Sequence, residues 1–402
     1  MELTKLFALI GKVQNYAWGG FDFIPNLLGK ENENKPEAEY WMGAHTNAPS
    51  TILTPDGEVS LNTYIDSDKV EKLGSKIAAD FGKLPFLFKV LDVHEMLSIQ
   101  VHPTKKNAEI GFKLENEKGI PLNAFNRNYK DDNHKPEIMV ALSDFWLLHG
   151  FLPKTQLKEV LATVPEFSSL ISVFETGGYK ELYKKVMELS NEECNTLLSP
   201  LIDRIVPLYL EGKLEKFSPD YWAAKSAVSS TNSGIIDKGI FSVYFFNIVQ
   251  ANKGEAVFQD AGVPHSYLEG QIVELMANSD NVLRGGLTPK HIDVPELLKH
   301  VGFTETHPEI LHGELQSDGL ERIYKTVAPD FELSKIEIKK TDSYKSVSKT
   351  AVILIVVEGE IEISEGITCL KLEKGSSAFL EANSKYQIRT NKKAIIYKAT
   401  AP

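Results

Sequence analysis

Leu97-Ser98-Ile99-Gln100-Val101-His102-Pro103 alternates apolar and polar residues. Successive side chains of an extended chain point to opposite faces, so Ser98, Gln100 and His102 share one face and Leu97, Ile99 and Val101 the other. The spacing predicts a strand packed on one side. On its polar side a carboxamide and an imidazole two residues apart can close on one metal ion, if other strands supply the remaining ligands. Taken alone, the pattern also describes an amphipathic strand with a solvated face, and the stretches around it decide between the two.

Upstream, residues 84–91 are too short for an ordinary helix and dense in bulky apolar groups, which predicts a buried strand. Lys89 within it either snorkels to an edge or is committed to an anion. Residues 1–65 read as short strands and turns, at 6–10, 13–16 and 39–43, with a hairpin region at 49–57 that turns at Pro55-Asp56-Gly57. Downstream, Pro103-Thr104 starts a helix running to Lys118, with Ala108, Phe112 and Leu114 on its inner side. A polar loop over 119–136 leads into His134-Lys135-Pro136-Glu137. Lys135 and Glu137 share a face there, and the proline between them removes one ladder N–H, as suits a sheet edge beside a site.

Between 153 and 234 the texture is helical, with segments near 155–164, 178–189, 192–211 and 219–229, and Leu182, Val186 and Leu189 recur at helical spacing. No paired catalytic group stands out, so this reads as an α-helical insertion forming a cover or wall. Strands are expected again at 240–249. Gly262-Val263-Pro264-His265-Ser266-Tyr267-Leu268 then carries one histidine from a loop into a strand, and Glu274 leads on to Arg284-Gly285-Gly286-Leu287-Thr288-Pro289-Lys290. The adjacent glycines imply a backbone that approaches something closely. A short helix is expected at 297–301. From 324 onward, strands at 331–338, 351–358, 359–364, 378–380, 386–390 and 394–398 imply a closed antiparallel sandwich or barrel. This tail has no histidine, so support is expected of it rather than chemistry.

At 402 residues the chain exceeds one ordinary core, and two or three domains are expected. The net charge of −11, with no basic cluster, speaks against a nucleic-acid partner. The lone Cys194 and Cys369 exclude a disulfide framework and a cysteine zinc site, and both are expected as buried fillers. Met1-Glu2-Leu3-Thr4-Lys5 is no signal peptide, and no run approaches the roughly 20 apolar residues that span a bilayer. A cytoplasmic protein without membrane contact is expected.

Gln100, His102, Glu137 and His265 form one possible metal set. Two imidazoles, a carboxylate and an amide oxygen suit Zn²⁺, and chemically also Fe²⁺, Mn²⁺ or Co²⁺. The chain resembles the type I mannose-6-phosphate isomerases, the zinc-dependent phosphomannose isomerases, over nearly its whole length. The matching runs are Val13-Gln14-Asn15-Tyr16-Ala17-Trp18-Gly19, Glu39-Tyr40-Trp41-Met42-Gly43 with His45, the 97–103 strand, His134-Lys135-Pro136-Glu137, Pro264-His265-Ser266-Tyr267-Leu268 and Glu274 through Lys290, of which 278–290 is close to a family signature. His149, where relatives often carry cysteine, and Val263, where many carry a polar or acidic residue, depart from the pattern without touching the ligand positions.

The resemblance implies a mainly β fold with an α-helical insertion: two cupin-like (jelly-roll) β domains plus a helical domain. It places the catalytic cupin-like domain at 1–152 with 235–310, the helical insertion at 153–234 and the C-terminal cupin-like domain at 311–402. It implies one Zn²⁺ per chain on Gln100, His102, Glu137 and His265, and interconversion of mannose 6-phosphate and fructose 6-phosphate in a monomer. Such an isomerisation needs a base, a stabiliser for developing oxyanion charge and an anchor for the phosphate. Glu274 is the first choice of base and Lys135 the second. Arg284 suits developing charge or phosphate, and Ser98, Lys89 and Lys290 suit the phosphate side. An iron dioxygenase of cupin type would pair two histidines where Gln100 and His102 stand. A non-catalytic sugar-binding protein predicts loss of a ligand or of Arg284, and all are present.

Overall fold

Short strands rich in β-branched and aromatic residues, punctuated by glycine turns, pair here across long distances in sequence. The computed structural model describes residues 4–229 and 234–402. Residues 1–3 of the N-terminal segment and 230–233 of the expected insertion lie outside them. One nine-stranded sheet runs, in order, through Glu314–Leu315, Glu321–Tyr324, Glu332–Lys339, Lys393–Thr400, Val352–Glu358, Ser377–Leu380, Leu6–Ile10, Thr51–Thr54 and Gly57–Ser60. Its seam is antiparallel, with Leu6 opposite Leu380 and Phe7 opposite Phe379. Three strands of the expected 1–152 unit are therefore built into the sheet of the C-terminal strands.

The second sheet has ten strands and is organised on His265–Ala277. The first half of that strand pairs with Phe145–Phe151 and the second half with Phe86–Val93 and Glu137–Ala141, with a register shift between Tyr267 and Glu269. Phe7, Ile52, Phe86, Phe88, Val140, Leu275, Phe379 and Tyr397 form one buried cluster between the two large sheets. A four-stranded sheet, Ser343–Ser348, Ser384–Arg389, Glu360–Glu365 and Thr368–Glu373, closes the C-terminal sandwich over Leu6, Ile336, Leu354, Ile363 and Ile388.

The helical insertion comprises Lys154–Thr163, Ile171–Glu188, Asn191–Leu210 and Pro219–Ser229, with a 3-10 turn at Pro165–Leu170. Asn191–Leu210 starts on a capping box in which Ser190 and Glu193 satisfy each other's backbone N–H. Its core is not separate: Leu182, Leu198 and Trp222 pack in one buried cluster with Ile99, Val101, Trp146, Leu148 and Leu283. No helix among the described residues is long and apolar enough to cross a membrane.

Four expectations are corrected. The strand expected over 97–102 is confined to Gln100–Val101, and His102 is fully buried, which removes the solvated-face reading. The first half of the expected 240–249 strand is a helix, Gly239–Phe245, followed by the strand Phe246–Ala251. All seven helical residues are buried, Ser242 among them, and a run without a polar face carries no periodicity to separate the two states. In the helix Lys105–Glu117, capped by Thr104, Leu114 is exposed and Glu115 is buried, accepting the N–H groups of Asn128 and Tyr129 and pairing with Arg127. Cys194 is buried, but Cys369 is exposed on the four-stranded sheet.

The shared core between the large sheets makes a prediction. Phe379→Ala, at a fully buried position, is expected to cost about 3–5 kcal/mol. Urea denaturation of the variant, followed by far- and near-UV circular dichroism, should show a single transition at lower midpoint; two separated transitions would refute the common core.

Candidate metal centre and reaction cavity

The centre is built where three ladders meet. His265 is opposite His149 on one side and Gln100 on the other, and Gln100 is opposite Arg284. Directly opposed residues project to one face, so these four side chains form a row across four strands. Glu137 enters at the start of its own strand, between Met276 and Gln259. Its Oε2 lies 3.2 Å from His265 Nε2 and its Oε1 3.5 Å from His102 Nε2. One ligand atom from each of His102, Glu137 and His265 falls within 4.8 Å of the others.

Both imidazoles are oriented by main chain. His102 Nδ1 lies 2.9 Å from the Asn281 carbonyl, and His265 Nδ1 lies 2.9 Å from the Val263 carbonyl. A carbonyl only accepts, so each ring carries its proton on Nδ1 and turns the Nε2 lone pair toward Glu137. His102 Nε2 has no hydrogen-bond partner among the described residues in spite of complete burial. Burial first, then the nearby Lys135, pushes the His102 imidazole down to about 4, which keeps it in the neutral, ligating form. Burial alone would raise the Glu137 carboxyl, but Lys135 and His102 outweigh it and hold the group well below the usual carboxylate range. Two imidazole Nε2 atoms, an ionised carboxylate and a carboxamide in register beside them fit a Zn²⁺ donor set.

Asn281 holds this arrangement in place. Its side chain accepts from Lys130 N at 2.7 Å and donates to the carbonyls of Asp131 and Asn133, each at 2.8 Å, which fixes the carbonyl that orients His102. The sequence displayed Asn281 inside the 278–290 run without suggesting this role. Gln259, opposite Glu137, is also missed by sequence reasoning; it is fully buried and neither of its amide atoms has a partner among the described residues.

A cavity of about 1930 Å³ opens beside the centre, lined by Gln100, Glu137 and His265 and by Ser98, Lys135, Glu274, Lys89, Arg284 and Lys290. Lys135 forms a close ion pair with Glu137, as their shared face implied. Lys89 lies 3.1 Å from Glu274 Oε2 and 3.3 Å from Glu39 Oε2, so of its two readings the anion is the one realised, and the anion is the protein's own. Lys89 is thus paired within the protein while it lines the cavity. Tyr267 donates to Glu274 Oε1 at 2.8 Å. Burial raises the Glu274 carboxyl although Lys89 opposes it. Arg284 stands directly across from Gln100; burial lowers its guanidinium, and it has no carboxylate partner among the described residues. Lys290 is lowered by burial and by Arg284 against an opposing pull from Glu39, and Lys130 by burial and by Arg127. The cavity thus carries cations that form no salt bridge among the described residues as well as the carboxylates of Glu137 and Glu274.

Two family models match the chain: phosphomannose isomerase type I, catalytic domain, over residues 6–154, and mannose-6-phosphate isomerase, cupin domain, over 321–397. The sequence is 39% identical to mannose-6-phosphate isomerase of Escherichia coli (strain K12) over 381 residues, 93% of this chain and 94% of that one. The chain belongs to the type I phosphomannose isomerases. The Homo sapiens member is 33% identical over 431 residues, covering 99% of both chains. A crystal structure of mannose 6-phosphate isomerase from Salmonella typhimurium, bound to substrate and to zinc, superposes with a TM-score of 0.88 at 35% identity over 99% of this chain and 100% of that one. The two cupin-like β units and the helical insertion are therefore those of a type I phosphomannose isomerase.

Asn281→Ala removes the bonds that fix the His102-orienting carbonyl. It is expected to weaken metal affinity about 10–100-fold, the scale for losing an outer partner of a ligand. Competition with a chelating dye measures this, and unchanged affinity would show that the His102 ring needs no such support.

Proposed function

We propose that this phosphomannose isomerase interconverts D-mannose 6-phosphate and D-fructose 6-phosphate with Gln100, His102, Glu137 and His265 holding one Zn²⁺, Glu274 as base and Arg284 with Lys290 at the phosphate. The convergence of His102, Glu137 and His265 within 4.8 Å supports the reading, since the cavity that Glu137 and His265 line also carries Arg284 and Lys290, which form no salt bridge among the described residues. Bound Zn²⁺ supplies a Lewis acid in the cavity.

The remaining chemistry belongs to side chains. Arg284, Lys290 and Lys130 bind the phosphate dianion and fix the distance from it to the reacting carbons. Each Glu274 oxygen accepts one bond, from Lys89 or Tyr267, and keeps a second lone-pair site for a proton. Burial strengthens its basicity, as a general base requires. In the direction of fructose 6-phosphate, Glu274 takes the C2 proton to leave an enediol and returns it at C1. Lys135, paired with Glu137 as an ammonium, serves as the donor that passes a proton between O1 and O2. Trp41, whose Nε1 donates to Glu39 at 2.5 Å and whose ring lies 5.2 Å from Lys89 Nζ, walls the base from bulk water. Ser98 is assigned a hydrogen bond to the sugar phosphate.

The reading includes the three-part organisation at 1–152 with 235–310, 153–234 and 311–402, and action in the cytoplasm as a monomer. Free Cys194 and Cys369 accord with a reducing compartment, and one chain carries all the groups named.

Purified protein is expected to carry one zinc-like ion per chain and to lose isomerase activity to a chelator, with recovery on Zn²⁺ addition. Full turnover in rigorously metal-free protein would overturn the metal's role. His265→Ala should lose the ion, whereas Arg284→Ala should keep it and lose turnover; equal metal loss in both would remove Arg284 from the substrate side.

Glu274→Gln should retain metal and sugar-phosphate binding while exchange of the C2 proton with solvent falls about 10²-fold or more. If that variant exchanges at nearly the parent rate while Lys135→Met does not, Lys135 is the base.

A further inference from the structure

The loop that carries Arg284 and Lys290 is pinned from both sides. On one side, Leu283 and Arg284 pair with Val101 and Gln100, Gly285 N donates to the Ile99 carbonyl at 2.9 Å, and Ile99 N donates to the Gly286 carbonyl at 3.0 Å. On the other side stands Asp237, just beyond the helical insertion. Its Oδ1 accepts from Leu287 N at 2.8 Å and from Gly239 N at 2.6 Å, and its Oδ2 accepts from Thr288 N at 3.0 Å. Leu287 has φ of 55°, a left-handed conformation unusual for a non-glycine residue, so something must hold it there. Gly286 has φ of 124°, and a Cβ on it would lie 2.5 Å from Gly239 Cα, so the two backbones are in direct contact.

We infer that Asp237 is a positioning residue for substrate: its carboxylate fixes the strained 286–288 turn and so sets where Arg284 and Lys290 meet the phosphate. This rests on the proposed sugar-phosphate reading and deepens it. Asp237 thus supports the 286–288 turn from the segment that follows the insertion, while the Gln100–Val101 strand holds the other side of the same loop. A carboxylate is needed for the full set, because a single group must accept three N–H bonds with both oxygens.

The test compares Asp237→Ala, Asp237→Asn and Asn195→Ala in metal-loaded protein. Asn195 anchors the same segment, accepting from Ile236 N at 2.9 Å and donating to the Gly234 carbonyl, but touches nothing in the 284–290 loop. For Asp237→Ala, KM for mannose 6-phosphate and the Kd of inorganic phosphate by calorimetry should both rise about tenfold or more, with metal content at the parent level. Asp237→Asn keeps one acceptor oxygen and should fall between parent and Ala, which keeps the test open if the Ala variant does not fold. Asn195→Ala should match the parent. Parent-like KM and phosphate Kd in both Asp237 variants would overturn the inference. So would metal loss in step with the KM change, or an Asn195→Ala variant that behaves like Asp237→Ala. A parent protein that binds phosphate without isomerising the sugar would refute the functional reading while leaving the phosphate comparison decisive for Asp237.

Discussion

A carboxylate cannot be carried into a dry barrel unless positive charge and donors answer it, and Glu137 is such a carboxylate. Lys135 pairs with one oxygen, and the two imidazoles stand at the other contacts, each already turned by a main-chain carbonyl. Bringing these partners together requires the Gln100–Val101 strand, the His265–Ala277 strand and the Glu137–Ala141 strand at fixed registers. The charge at Glu137 thus constrains the sheet that surrounds it. A Zn²⁺ held there would meet the same requirement, since His102 Nε2 has no hydrogen-bond partner among the described residues.

The short strand at Gln100 also joins two compartments. Ile99 and Val101 belong to the helical core, whereas Gln100 faces the cavity and His102 the metal centre. The insertion, expected as a cover or wall, packs against Ile99 and Val101 and so walls the strand that bears Gln100. The Gln100–Val101 strand pairs with both His265 and Arg284, so its register supports the metal centre and the loop that follows Arg284, and Asp237 adds a second support to that loop.

What could be read from sequence was local. The Gln100-x-His102 alternation, the Lys135/Glu137 pairing, the helix capped by Thr104 and the glycines after Arg284 all follow from backbone period or local sterics, and the structure repeats them. What could not be read depends on partners far away in the chain. Lys89 was ambiguous because Glu39 and Glu274 reach it only across neighbouring strands. Asn281 works through its main-chain carbonyl, which no side-chain pattern displays. The helix Gly239–Phe245 is buried on every side, so it shows no polar face for a period to report. The exposure of Cys369 follows from which face of the four-stranded sheet is covered, a tertiary fact.

The seam between Leu6–Ile10 and Ser377–Leu380 has a consequence for the order of events during synthesis. Leu6–Ile10 leaves the ribosome well before Ser377–Leu380, the neighbour that covers one of its edges. At roughly 5–20 residues per second, that strand waits some tens of seconds with the edge open. During that interval it offers unpaired backbone groups to any passing chain, a hazard that grows with crowding of nascent copies. The large sheet is complete only once Lys393–Thr400 has emerged as well, since that strand lies between Glu332–Lys339 and Val352–Glu358.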